Sequence, residues 1–96
     1  MSDKINAAVT ALNAKMGDDG FDGTAKFVIE GEGTVMIDSD GARAADDDAD
    51  VTLTADADTF ESILQGDLDP TAAFMSGRLA VDGDMSLAMK LGSVLA

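Results

Sequence analysis

The side chains of this chain that could do chemistry are mainly carboxylates, since it has 19 acidic residues, six basic residues, no histidine and no cysteine. Without histidine and cysteine, the usual general bases and the usual activated nucleophiles are missing. The closest carboxylates, the run at 46–48 and the pair Asp67 and Asp69, fall in predicted turns, where water keeps each one charged. We therefore expect no catalytic residues and no enzyme activity.

Aspartates close to glycines raise the possibility of a calcium loop of the EF-hand type. Such a loop has an oxygen ligand first, glycine sixth and glutamate twelfth. With Gly41 sixth, the first position is Met36 and the twelfth is Asp47; with Gly83 sixth, the first position is Arg78. Neither register fits, so we expect no metal site and no cofactor.

The net charge of −13 excludes nucleic acid as a partner, because the field of the protein repels phosphate backbones. The four phenylalanines, without tryptophan or tyrosine, offer few stacking surfaces for bases. We interpret the acidity as a solvated surface, and adaptation to a salty cytoplasm is a further possibility. No apolar run is long enough to span a bilayer, so we expect a cytoplasmic protein without stable membrane insertion.

The first half of the chain predicts one helix followed by a β-hairpin. Apolar residues at positions 5, 9, 12 and 16 recur at helical spacing, Ser2 can cap the helix and Gly17 can end it. The segment 25–30 alternates, and after a Gly31-Glu32-Gly33 turn Val35 and Ile37 form a matching apolar face, with Val28 and Met36 on the face opposite Phe27. A weak strand is predicted near 42–45 and an alternating strand at 51–54.

The second half predicts two short helices, a strand and a final helix. Asp56 or Asp58 caps the first helix, which Gly66 ends, and a capping box from Asp58 to Glu61 is one alternative. The second helix starts at Asp69-Pro70, and a strand is predicted at 78–82.

The final helix is apolar on nearly every side, because Ser86, Lys90 and Ser93 form a single thin polar stripe. A helix of this kind either lies buried against the sheet or a second subunit, or borders an apolar cavity. Methionines at 75, 85 and 89 favour the cavity, since methionine adapts to varied apolar shapes. Methionine also fills ordinary cores, so this pattern leaves both alternatives open.

Several strings between residues 49 and 91 resemble the sterol carrier protein 2 family. They are ADVTLT, FESILQG, DPTAAFMSGRLAVDGDM and LAMKL, each at the spacing of the family. The matching positions include Asp50, Thr52, Gly66, Ala73, Gly77, Leu79, Val81, Gly83, Ala88 and Leu91. The resemblance implies an α/β (α+β) fold over residues 1–96 as a single domain. It implies a mostly antiparallel five-stranded sheet, covered by helices, that encloses an apolar tunnel.

The resemblance also implies non-enzymatic binding and transfer of a sterol, fatty acid, isoprenoid or similar lipid. Two alternatives stay open: an accessory factor that holds an isoprenoid or quinone intermediate for a biosynthetic complex, and a ligand-free structural or dimerisation module. The protein would be a monomer or a homodimer, and its protein partners are not indicated. The side chains expected to contact the lipid are Phe60, Ile63, Leu64, Phe74, Met75, Leu79, Val81, Met85 and Met89.

Overall fold

The computed structural model describes residues 3–17 and 20–95, which form one five-stranded sheet and four helices. The predicted cap Ser2 lies outside the described residues. The elements in chain order are α1 (Asp3–Met16), β1 (Ala25–Glu30), β2 (Gly33–Asp38), β3 (Gly41–Ala44), β4 (Val51–Asp56), α2 (Ala57–Leu64), α3 (Pro70–Met75), β5 (Ala80–Gly83) and α4 (Met85–Leu95).

The strands lie in the order β3-β2-β1-β4-β5, and the central pair β1 and β4 is parallel while the other three pairs are antiparallel. The predicted mostly antiparallel sheet is therefore confirmed. Phe27 stands opposite Val35 on one side and Leu53 on the other, and all three are buried. Because side chains alternate across a strand, this register gives the sheet one continuous apolar face.

Helix α1 covers this apolar face with its stripe of Ile5, Ala8, Leu12 and Met16. It is tied to the edge strand β3 by Asn13, whose side-chain oxygen accepts from the Ala42 N–H at 2.8 Å and whose side-chain nitrogen donates to the Ala42 carbonyl at 3.0 Å. These two bonds fix the position of α1 along the sheet. Gly17, with φ +64°, ends the helix as predicted.

The opposite face of the sheet carries no helix among the described elements, and it is only partly apolar, as predicted from Val28 and Met36. Met36 is nevertheless only 1% exposed. It lies in register between Lys26 and Arg43 on the neighbouring strands. The aliphatic stems of two such long cationic side chains cover an apolar neighbour while their charged ends stay in water.

In the second half, the structure selects one of the two predicted caps and corrects one strand boundary. Asp56, rather than Asp58, caps α2, because its Oδ1 accepts from the Thr59 N–H at 2.7 Å. The last strand begins at Ala80 and not at residue 78, because the N–H groups of Arg78 and Leu79 donate to the Ala73 carbonyl and close the end of α3. The start of α3, with Asp69 as cap and Pro70 in the first turn, is as predicted.

Candidate functional site

Two apolar grooves open on the helix-covered side of the sheet. The first, which we call the α1–α2 groove, has a volume of about 340 Å³ and lies between those helices above Ile29 of β1. The second, the α3–α4 groove, has a volume of about 80 Å³ and lies above Leu53 of β4 and Val81 of β5. Small-molecule sites occupy about 300–1,000 Å³, so of these two apolar grooves the α1–α2 groove has the size of a ligand site as it stands. A third hollow of about 350 Å³, between Ile5 of α1, the start of β2 and the end of β3, has a more polar lining that includes Glu32 and Asp46.

Alanines create the α1–α2 groove. Ala7, Ala8 and Ala11 line it from α1, and Ala57 lines it from the start of α2. With a single methyl group at each position, the two helices leave a gap that larger side chains would fill. Phe60 and Leu64 of α2 complete its apolar wall.

The rim of the α1–α2 groove is polar but has no net charge. Lys4 of α1 and Glu61 of α2 both line it, with Nζ and Oε1 3.8 Å apart and each side chain about half exposed. Gln65 adds an uncharged amide. A wide exposed ion pair of this kind contributes little stability, about 0–1 kcal/mol. Its consequence for a ligand is that the cation at the rim is already matched by a carboxylate.

The α3–α4 groove is smaller, and Thr71 is the polar side chain in its lining. Pro70, Thr71 and Phe74 line it from α3, and Met85 and Ala88 line it from α4, together with Gly92, Leu53, Leu79 and Val81. Its position is set by the two helix starts, where Asp69 accepts from the Thr71 N–H at 2.8 Å and Asp84 accepts from the Ser86 N–H at 2.8 Å.

The nine side chains predicted to contact a lipid are divided by the structure into three groups. Phe60 and Leu64 line the α1–α2 groove. Phe74, Leu79, Val81 and Met85 line the α3–α4 groove. The third group lines neither groove: Ile63 is buried in the core, whereas Met75 and Met89 are exposed to solvent. Contact of any of the nine with a lipid stays a prediction.

Sequence reasoning missed the α1 side of the larger groove. Ala7, Ala8 and Ala11 read as ordinary helix formers, because alanine has the highest helix propensity. Ala7 and Ala11 stand four residues apart and therefore share one helix face. The signal in the sequence that could have indicated a gap between α1 and α2 is this pair of alanines, because α2 also begins with an alanine, Ala57.

Apart from Lys4, Glu61, Gln65 and Thr71, the two grooves are lined by residues without polar side chains. Two carboxyls outside them have shifted acidities: the Arg43 hydrogen bond lowers the pKa of Asp38, and the Thr59 hydrogen bonds lower the pKa of Asp56. Asp38 lies at the end of β2 and Asp56 caps α2. Across residues 3–17 and 20–95, no three acidic side chains are grouped closely enough to hold a metal ion. In the same part of the chain, no helix is long and apolar enough to cross a membrane.

The matching family model is that of the SCP-2 sterol transfer family, and it extends over residues 5–96. The chain belongs to this family. The resemblance inferred from residues 49–91 is thereby confirmed and extended to α1 and the hairpin. The structure does not show the single tunnel that the resemblance implies; in the described part of the chain, the predicted side chains fall along two separate grooves instead.

Among solved structures, this SCP-2 family chain is similar to Sterol Carrier Protein-2 from Aedes aegypti in complex with C16 fatty acid (palmitate). The TM-score is 0.78 at 23% identity, and the match covers 100% of this chain and 97% of that one. At this identity the likeness shows the fold. Family membership supports lipid binding or transfer.

Two curated relatives have the name Hydroxysteroid dehydrogenase-like protein 2. The protein of Xenopus tropicalis is 37% identical over 81 residues, covering 76% of this chain and 19% of its own length. The protein of Danio rerio is 48% identical over 48 residues, covering 50% of this chain and 12% of its own length. This chain thus spans less than a fifth of each relative, so the match concerns their SCP-2 part.

Proposed function

We propose that this protein binds one apolar lipid without chemical change and transfers it, and that the apolar part of the lipid lies in the α1–α2 groove. The observation that carries the proposal is the groove of about 340 Å³ with an apolar wall and a polar rim, in a chain of the SCP-2 sterol transfer family. Ligand sites have this character, with apolar walls and a few polar groups that orient the ligand. Burial contributes about 0.8 kcal/mol per methylene, so part of one acyl or isoprenoid chain suffices for micromolar affinity.

The preferred lipid is uncharged. The one cation at the rim, Lys4, lies 3.8 Å from Glu61, so an anionic headgroup would compete with a carboxylate already in place. The net charge of −13 adds a general repulsion of anions. An alcohol or another neutral headgroup can accept from Lys4 or donate to Glu61 without that competition.

A competition experiment tests the preference with ligands that share one chain. A neutral fluorescent lipid is displaced from the protein by hexadecanol, by palmitate or by palmitoyl-CoA at physiological salt. We expect hexadecanol to displace the probe at the lowest concentration and palmitoyl-CoA at the highest. Tightest displacement by palmitoyl-CoA would contradict the preference, and failure of the probe and all three competitors to bind would contradict lipid binding itself.

The same groove would also serve an accessory factor that holds an isoprenoid or quinone intermediate for a biosynthetic complex. Native mass spectrometry of the protein purified from its own cells separates the two functions. A co-purified lipid on a free protein supports the carrier, and a lipid together with bound enzymes supports the accessory factor. A protein without lipid in either form would favour a structural module.

A further inference from the structure

Four large apolar side chains lie exposed at the C-terminal end of α3 and in the first two turns of α4. The exposed fractions are 43% for Phe74, 80% for Met75, 48% for Met85 and 74% for Met89. Phe74 and Met85 line the two sides of the α3–α4 groove, and Met89 lies one helical turn beyond Met85. We call these four residues the methionine patch. Exposed apolar side chains grouped in this way indicate an interaction surface.

The patch lies in the part of the sequence that is almost free of carboxylates. Of the 19 acidic residues, only Asp82 and Asp84 come after residue 69. Asp82 follows Val81 in β5, so it points to the sheet face away from the helices. Asp84 caps α4 by accepting from the Ser86 N–H. The segments that carry the patch, 70–81 and 85–95, contain Arg78 and Lys90 as their only charged side chains.

The size of the patch argues against a stable dimer. Taking about 200 Å² for a fully exposed side chain of this size, the four residues present about 500 Å² of apolar surface. A specific interface needs about 800 Å² from each partner. Pairing two copies would also bring together two molecules that each carry a net charge of −13. The apolar area of the patch is large enough for a transient contact with a surface whose apolar interior lies beneath a polar outer layer.

We propose that the methionine patch docks this protein on a zwitterionic lipid bilayer, with the α3–α4 groove opening toward the lipid. The proposal rests on the proposed function, since a lipid carrier must meet the membrane that supplies or receives its lipid. A bilayer without net charge fits the charge distribution of the molecule. Arg78 beside the patch can accommodate a headgroup phosphate, whereas Lys90 already lies 3.6 Å from the carboxylate of Asp22. The remaining acidic surface would be repelled by an anionic membrane. The contact is peripheral, because no helix in the described residues can span a bilayer.

Sedimentation with phosphatidylcholine vesicles tests the docking. Met75 and Met89 line neither groove and are the most exposed members of the patch, so Met75→Ser/Met89→Ser removes apolar surface without touching the α1–α2 groove. The matched control is Asn6→Ser/Ala14→Ser on the exposed side of α1. We expect the methionine variant to lose at least about threefold in vesicle binding and the control to lose none.

Vesicle charge provides a second measurement on the unmodified protein. Adding phosphatidylglycerol to the vesicles should weaken binding at low salt, and KCl should restore it by screening the repulsion. The docking proposal would be overturned by tighter binding to anionic vesicles, by equal binding of both variants, or by no vesicle binding at all. It would also be overturned if the unmodified protein were a dimer and Met75→Ser/Met89→Ser made it a monomer, because the patch would then be a dimer interface. Vesicle binding without any binding of the fluorescent lipid would leave the docking intact and contradict the proposed function instead.

Discussion

The ring of Phe60 packs against the ring of Phe27, with centroids 4.2 Å apart and planes tilted by 60°. Phe27 stands opposite Leu53 of β4, and Leu53 lines the α3–α4 groove. Two residues further along β1, Ile29 lines the α1–α2 groove. The aromatic pair therefore fills the core between the two grooves. Both rings are at most 2% exposed, so they are packed on all sides by protein atoms. The two grooves therefore stay separate while Phe60 keeps this position.

Replacing Phe60 by alanine should join the grooves and make the stability of the protein depend on bound lipid. Removal of the ring costs about 3–5 kcal/mol in the free energy of unfolding, because the surrounding core collapses only in part. A lipid that enters the space binds the folded state and restores stability by mass action. We expect saturating hexadecanol to raise the denaturation midpoint of Phe60→Ala more than that of the unmodified protein.

The matched control for this change is Ile63→Ala. Ile63 is buried in the same helix but lines neither groove, and its truncation costs about 2–5 kcal/mol. We expect hexadecanol to stabilise this variant no more than the unmodified protein. Equal stabilisation of the two variants would show that the lipid does not use the space left by Phe60.

Replacing the cap residue Asp56 by asparagine should destabilise the protein only where the carboxyl is ionised. The Thr59 backbone N–H, and then its hydroxyl, lower the folded pKa of Asp56 below the usual value of about 3.9. The stabilisation is therefore present above the unfolded pKa and is lost as pH falls through the folded pKa. We expect Asp56→Asn to have a lower melting temperature than the unmodified protein at pH 7, and the difference to shrink as pH falls through the folded pKa of Asp56.

Asp58→Asn is the control, because Asp58 is exposed in the same helical turn and does not cap α2. It removes the same charge from nearly the same place. A melting-temperature loss as large as that of Asp56→Asn would mean that general electrostatics, rather than the cap, accounts for the effect.

Raising the salt concentration should stabilise the protein. The chain has 19 carboxylates and six basic side chains, so folding brings like charges close together, and dissolved counterions screen the repulsion between them. Four wide or exposed ion pairs join described residues, and they lose little on screening since such pairs are weak. We expect the melting temperature to rise from low to near-molar KCl. A flat or falling curve would contradict the interpretation of the acidity as adaptation to a salty cytoplasm.

Local rules predicted the elements that local interactions decide. The spacing of apolar residues in α1, the alternation in β1 and β2, and the Asp69-Pro70 start of α3 each act within a few residues, and each was confirmed. The division of the predicted site into two grooves could not be predicted in this way. It depends on how Phe60 packs on Phe27, a contact between residues 33 positions apart in the sequence.

The environment of α4 shows the same limit. Its sequence indicates a helix covered nearly all round, yet in the structure Leu91 is buried whereas Met85 and Met89 are exposed. Leu87, Ala88 and Val94 are half-buried, so α4 meets the rest of the molecule along one stripe. The apolar sequence of a helix predicts that its surface will be buried. Which face of the helix packs against the rest of the same chain is determined by the tertiary arrangement.

Filling the α1–α2 groove with a larger side chain shows whether the lipid binds there. Ala7 and Ala14 are both exposed on α1, seven residues apart, but only Ala7 lines the groove. Phenylalanine at either position should change the free energy of unfolding by about 0.5 kcal/mol or less, as is usual for surface sites. In titrations with a neutral fluorescent lipid, we predict that Ala7→Phe weakens binding at least about tenfold while Ala14→Phe binds like the unmodified protein. Undiminished binding by a folded Ala7→Phe variant would contradict the account.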